Sequence, residues 1–154
     1  MSVGKTLGIF FAIGFLSIQL IPVERNNPKT DPSLEIKAPA EVKSIFKRSC
    51  YDCHSNETRW PWYSNIAPIK WFVARDVEVG RKWLNFNEWE SYNEEKRRKL
   101  KEMIFTAIGL AMPLGLYVQA HPEAKLSAKD RKIIRKWTGL TPEDVMNNPK
   151  RRLY

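Results

Sequence analysis

Hydrophobic positions follow two regimes along the chain. From Leu7 to Val23 the sequence LGIFFAIGFLSIQLIPV runs for seventeen residues without a charge, and Ser17 and Gln19 are its only strongly polar side chains. A helix packed in a water-soluble core would carry polar residues every third or fourth position, so this run predicts an N-terminal hydrophobic anchor helix lying outside the fold. Cleavable leaders end in small residues, whereas Gln19, Leu20, Ile21, Pro22 and Val23 are large or rigid. An uncleaved anchor is therefore favoured, with a cleaved signal as the alternative, since the run lies at the short end of the spanning range of about 17 to 25 residues. The basic N-terminus with Lys5 would stay inside and the rest of the chain would be exported.

Beyond Val23 the pattern changes. Glu24 to Ala38 contains two prolines and few large apolar residues, which reads as a linker. The remainder, 39–154, repeats its apolar positions with helical rather than alternating spacing, so the fold class is mainly α. A first amphipathic helix runs from Pro39 to Ser49 with Val42, Ile45 and Phe46 on one face. A second starts after Pro68 and sets Ile69, Phe72, Val73, Val77 and Leu84 inward, with Gly80 marking a close approach. Asn87 and Glu90 stand at capping-box spacing ahead of a third, which carries Leu100, Met103, Ile104, Ala107 and Ile108. Ser127 and Asp130 repeat that spacing before a fourth, with Ile133, Ile134 and Trp137 inside and Gly139 as its stop. The basic stretch from Asn147 to Tyr154 reads as a mobile tail.

Composition narrows the classes. With 43% apolar residues and 12% aromatics, the 154-residue chain has the material for a folded domain rather than a disordered one. Two cysteines are too few for a disulfide scaffold or a four-thiolate zinc ribbon. The 26 basic against 17 acidic residues leave a net charge of +9. That suits an acidic redox partner protein or an anionic membrane surface; nucleic acid is a poor match for an exported domain.

The two cysteines stand together with one of the two histidines, as Cys50, Tyr51, Asp52, Cys53, His54. This C-x-x-C-H string is the attachment signal for c-type haem. Thiols three positions apart on a helical turn reach both vinyl groups of one porphyrin edge, and the adjacent imidazole is carried beneath the ring to the iron. A thioredoxin-type pair would belong beside a βαβ pattern, which the chain lacks, and adjacent Cys53 and His54 chelate a tetrahedral zinc ion awkwardly. Haem c, with iron, is thus the expected cofactor, and Cys50, Cys53 and His54 are its first candidate residues.

For a second axial ligand the best candidate is Met112, a soft, neutral thioether donor; His121, the only other histidine, is its rival. Trp60, Trp62 and Tyr63 crowd the segment after the motif and need a flat partner to cover. Trp60 or Tyr63 is a candidate donor to a haem propionate, with Arg59 or Arg81 as counter-charge.

Beyond the motif, the strings RNNP, SCYDCHSNETRWPWYSNIAP, DVEVGRKWLNFNEW and MPLGLYVQAHPEAKLSAKDRKIIRKW cover most of residues 24 to 138. Together they resemble the small bacterial haem-binding domain proteins, which are similar to cytochromes c. The resemblance implies a cytochrome c-like, helical, single-haem exported domain. It also implies Cys50 and Cys53 as thioether sites, His54 as proximal ligand and Met112 as distal ligand. The expected role is an electron carrier rather than an enzyme, anchored in the inner membrane with its domain in the periplasm, or free there if the anchor is cleaved. Two other roles remain open at this stage: a peroxidase-like or gas-reactive enzyme if the distal face is open, and a haem-bearing sensor or docking module.

Overall fold

The computed structural model describes residues 2–147. The mobile tail expected from Asn147 to Tyr154 therefore lies, apart from Asn147, outside the described residues. Helices make up the architecture, and there is no strand among the described residues. Helix α1, Val3–Gln19, forms where the anchor was expected, and none of its residues is buried. It is 17 residues long, and no helix among the described residues is long and apolar enough to cross a membrane.

Residues 24–38 depart from the expected linker. The chain lies along the domain: the Asn27 side-chain amide donates to the Thr58 carbonyl at 2.9 Å, and the Ile36 N–H donates to the Phe86 carbonyl at 2.8 Å. Ile36 is only 2% exposed and belongs to the core. A polar, proline-rich composition predicts an unstructured spacer, but the Asn27 side chain, the Ile36 backbone N–H and the burial of Ile36 hold it down.

Helix α2, Ala40–Ser49, buries Val42, Ile45 and Phe46 as its periodicity requires, with Glu41 in its first turn and Lys47 and Arg48 in its last, the charges that suit the helix dipole. The backbone breaks at Cys50 and restarts as α3, the single turn Tyr51–His54. Helix α4, Ile69–Trp83, starts after Pro68 as expected but has a rotated inner face. Lys70, Val77 and Gly80 are buried, whereas Ile69 and Phe72, expected inside, point outward. The cause is Gly80, which turns the narrowest side of the helix onto α3.

Helix α5 spans Glu94–Leu110 and is capped by Asn93, whose side chain accepts from the Lys96 N–H at 2.8 Å. Asn87 does not cap it, because its side chain is committed to Asn56 and Glu57 and the chain from Phe86 to Ser91 is a 3-10 helix. Met103, expected on the inner stripe, lies on the outer side of α5; Leu100, Ile104, Phe105 and Ile108 are buried. The short α6, Gly115–Ala120, leads to α7, Ala128–Thr138. The start of α7 is the expected capping box of Ser127 and Asp130, and its end is Gly139 at φ +73°, where a side chain would be strained. A second capping box, Thr141 with Asp144, opens α8, Pro142–Met146, which sequence periodicity did not reveal.

The core lies between α2, α3, α5, α7 and the 3-10 segment. Phe86 stacks between Phe46 at 4.6 Å and Tyr51 at 5.2 Å, while Trp137 meets both Phe46 and Trp89. Ring pairs of this kind contribute roughly 0.5–1.5 kcal/mol each beyond their area. They pin Tyr51, the second residue of the cysteine motif, to the centre of the molecule.

Candidate functional site

Cys50, Cys53 and His54 are brought together by one turn. The Cys50 carbonyl accepts from the N–H groups of both Cys53 and His54, at 3.2 and 2.9 Å, and closes α3. Both cysteines are free and half-buried. Burial, with the neighbouring Cys53, pushes the Cys50 thiol up to about 12, and burial with Asp52 and Asp76 pushes Cys53 up to about 11. Both thiols are therefore protonated at neutral pH.

His54 has a fixed tautomer. Its Nδ1 lies 3.0 Å from the Gly80 carbonyl and 3.2 Å from that of Leu84, both at the C-terminal end of α4. Carbonyl oxygens only accept, so Nδ1 carries the proton and Nε2 keeps its lone pair. Burial lowers the pKa of the ring, against the opposing pull of the two carbonyls, and favours neutral imidazole. Gly80 makes the approach possible: a Cβ there would stand 2.5 Å from the Cys53 carbonyl oxygen.

Around this turn lies a polar frame. The buried Asp52 accepts from the Arg59 backbone and guanidinium at 3.1–3.2 Å and from the Tyr117 hydroxyl at 2.6 Å. On the opposite flank an amide chain runs from the Asn87 side chain to the Asn56 N–H at 2.8 Å, and from Asn85 to the Asn56 side chain at 2.7 Å. Arg81 donates to the Ser55 and Asn26 carbonyls and to Asn27 and Thr58. Its guanidinium thus ties residues 26–27 and α4 to the loop after the motif, rather than standing free as a counter-charge. Asp52, Tyr117 and Gly80 were not singled out by sequence as site residues. For Asp52 and Tyr117 the only signal was that each lies inside one of the strings that carry the resemblance; Gly80 was marked as a close approach, without its partner.

Trp60 is half-buried beside Arg59, whose guanidinium is held by Asp52. The Tyr63 hydroxyl is hydrogen-bonded to His121 Nε2 at 2.8 Å, and His121 Nδ1 faces the Glu123 carboxylate at 3.3 Å, so both ring nitrogens of His121 have partners. The Tyr117 ring stacks on His121 at 4.6 Å, which links Tyr63, His121 and Asp52 into one cluster. Met112 is 37% exposed in the loop between α5 and α6, in an open depression it shares with Ile108, Pro113 and Leu126.

The donor set fits a haem. Two uncommitted thiols sit one turn apart, and the imidazole next to them has its Nε2 lone pair free and its Nδ1 fixed by backbone, the arrangement that orients metal-ligating histidines. When bound, a haem supplies reversible one-electron chemistry at its iron.

No curated protein and no solved structure matches the chain. The model of the haem-binding domain family matches residues 13–139, well over half of the sequence and including every residue of the motif and its polar frame. This chain belongs to the haem-binding domain family.

Proposed function

We propose that this protein is a c-type cytochrome, anchored at the membrane with its domain on the periplasmic side, that carries single electrons through one covalently attached haem. The observation that carries this reading is the α3 turn, which holds together two free thiols for covalent attachment and a backbone-fixed imidazole for the iron. In this reading Cys50 and Cys53 form the thioethers and His54 Nε2 binds the iron from one side. Met112 supplies its thioether from the other. Its claim over His121 is supported by the partners that both His121 ring nitrogens already have. Two neutral ligands on rigid supports suit electron transfer, because the site changes little between oxidation states.

Anchoring is supported by the uncharged run, which continues past the end of α1 through Leu20 and Ile21 to Val23. The +9 charge supports docking to an acidic redox partner.

The test is the full chain produced with a haem-attachment apparatus. Haem should remain on the denatured chain, and replacing both Cys50 and Cys53 by Ser should release it. The reduced form should give a sharp low-spin spectrum unchanged by carbon monoxide. Haem lost from the wild-type chain on denaturation would overturn covalent attachment, and rapid carbon monoxide binding would overturn the closed six-coordinate site.

A further inference from the structure

The end of α1 is fastened to the domain at one place. The Gln19 side-chain amide donates to the Ala67 carbonyl at 3.3 Å, and its oxygen accepts from the Ala67 N–H at 2.8 Å. Lys70, almost fully buried, donates to the Gln19 carbonyl at 2.8 Å and so satisfies one of the orphan acceptors at the helix end. A few residues on, the Arg25 guanidinium bonds the Ser64 carbonyl at 2.8 Å and the Asn65 side chain at 2.6 Å. Together with a bond from Arg25 to the Ser64 hydroxyl at 3.1 Å, six hydrogen bonds fix how the helix leaves the domain.

The surface around this junction is apolar. Leu20 and Ile21 follow Gln19; Ile66 and Ile69 flank Ala67; Phe72 stands one turn further along α4, and Trp62 opens the 3-10 helix that precedes it. All six are exposed, Trp62 by 75% and Phe72 by 61%. From Trp62 to Ile69 there is no charged residue, in a chain that is 28% charged. A face built to dock the expected acidic partner would present free positive charge; here Lys70 is buried on the Gln19 carbonyl and Arg25 is tied to Ser64 and Asn65. Helix α1, at 17 residues, is roughly 25 Å long, less than the roughly 30 Å of a hydrocarbon core. The apolar face begins where the helix ends.

We propose that the domain rests in the membrane–water interface through Trp62, Ile66, Ile69 and Phe72, so that the bilayer, and not a protein, covers this face. The proposal rests on the membrane anchoring read above. It makes the domain a fixed rider with one orientation, because the junction and the face are parts of one hydrogen-bonded unit. Tryptophan and isoleucine at the headgroup level extend the apolar length that α1 lacks, with Trp62 in the interfacial position that amphipathic rings favour.

Photo-crosslinking of the full haem-loaded chain in native membranes tests it. Four single variants place p-benzoylphenylalanine at chosen positions: Phe11→p-benzoylphenylalanine in α1, Trp62→p-benzoylphenylalanine and Phe72→p-benzoylphenylalanine on the face, and Lys129→p-benzoylphenylalanine on α7. Each is first checked for an unchanged visible spectrum. The expected result is phospholipid adducts at 11, 62 and 72 and none at 129. Adducts at 11 with none at 62 and 72, or protein adducts at 62 and 72, would overturn the proposal while leaving the anchor intact. Lipid adducts at 129 equal to those at 62 and 72 would overturn it too. Lipid adducts at 62 and 72 with none at 11 would uphold the face and overturn the anchor. Blank results at 11, 62 and 72 together would overturn both.

Discussion

Gly80 and Cys53 meet backbone to backbone: the Cys53 carbonyl oxygen lies 2.5 Å, and its carbonyl carbon 3.1 Å, from where a Cβ would stand on Gly80. This crossing brings the carbonyls of Gly80 and Leu84 to the His54 ring. The Gly80→Ala variant puts a methyl group into that space. Ala is favoured over Gly in a helix by about 1 kcal/mol, but the obstruction is backbone rather than a flexible side chain, and overpacking costs about 1–3 kcal/mol. With no easy relaxation, the expected net loss is about 2 kcal/mol, a fall in thermal midpoint of roughly 5 °C. Haem incorporation should fall with it, measured by haem stain per unit protein. A variant with unchanged midpoint and haem content would show the contact to be looser than described.

Tyr117 and Asp52 give a second prediction. The hydroxyl donates at 2.6 Å to a buried carboxylate, so Tyr117→Phe removes a charge-assisted hydrogen bond while Arg59 still partners Asp52. The expected cost is about 1.5–2 kcal/mol, read from the urea midpoint. Asp52→Asn, which weakens the Arg59 and Tyr117 contacts together, should cost more than Tyr117→Phe alone.

The distal ligand can be read from spectra. Met112→Ala should convert the low-spin oxidised form to a high-spin or water-ligated one and lower the reduction potential, while His121→Ala should leave the spin state unchanged and lose only the contacts with Tyr63, Glu123 and Tyr117. The reverse outcome would assign the iron to His121.

Acid should weaken the attachment of α2 to α7. Burial raises the Asp130 pKa, but hydrogen bonds from the Ser127 backbone and hydroxyl and from Arg48 outweigh it and hold the carboxyl below its ordinary 3.8. The unfolded chain therefore takes up this proton first as pH falls. The contribution is complete above the ordinary carboxylate range and is lost as pH drops through it towards the folded value. Unfolding free energy measured from pH 6 to pH 3 should fall less steeply in Asp130→Asn than in the wild type, and the two curves should converge at the acid end.

How far sequence reached depended on what carried each feature. Helix α7 was legible because a local pair, Ser127 with Asp130, marks its start and Gly139 its end. Helix α5 showed its body but not its start, since Asn87 has capping spacing and a longer-range partner in Asn56. Ile69 and Phe72 fit an inward stripe by period alone, yet the contact of Gly80 with α3 turns them out. The grouping of Cys50, Cys53 and His54 on one turn was legible because the three are contiguous. Asp52, Tyr117 and the carbonyls of α4 were not, because a residue 65 positions away is recognised only once the chain has folded.

That separation has a consequence for assembly. A bond between Asp52 and Tyr117 closes only after the long stretch between them has been made and compacted, and loop closure over such a span comes late. Synthesis delivers Cys50, Cys53 and His54 well before Tyr117. Until then the two thiols stand in an unfastened turn, and the tyrosine is the buckle that closes on it last.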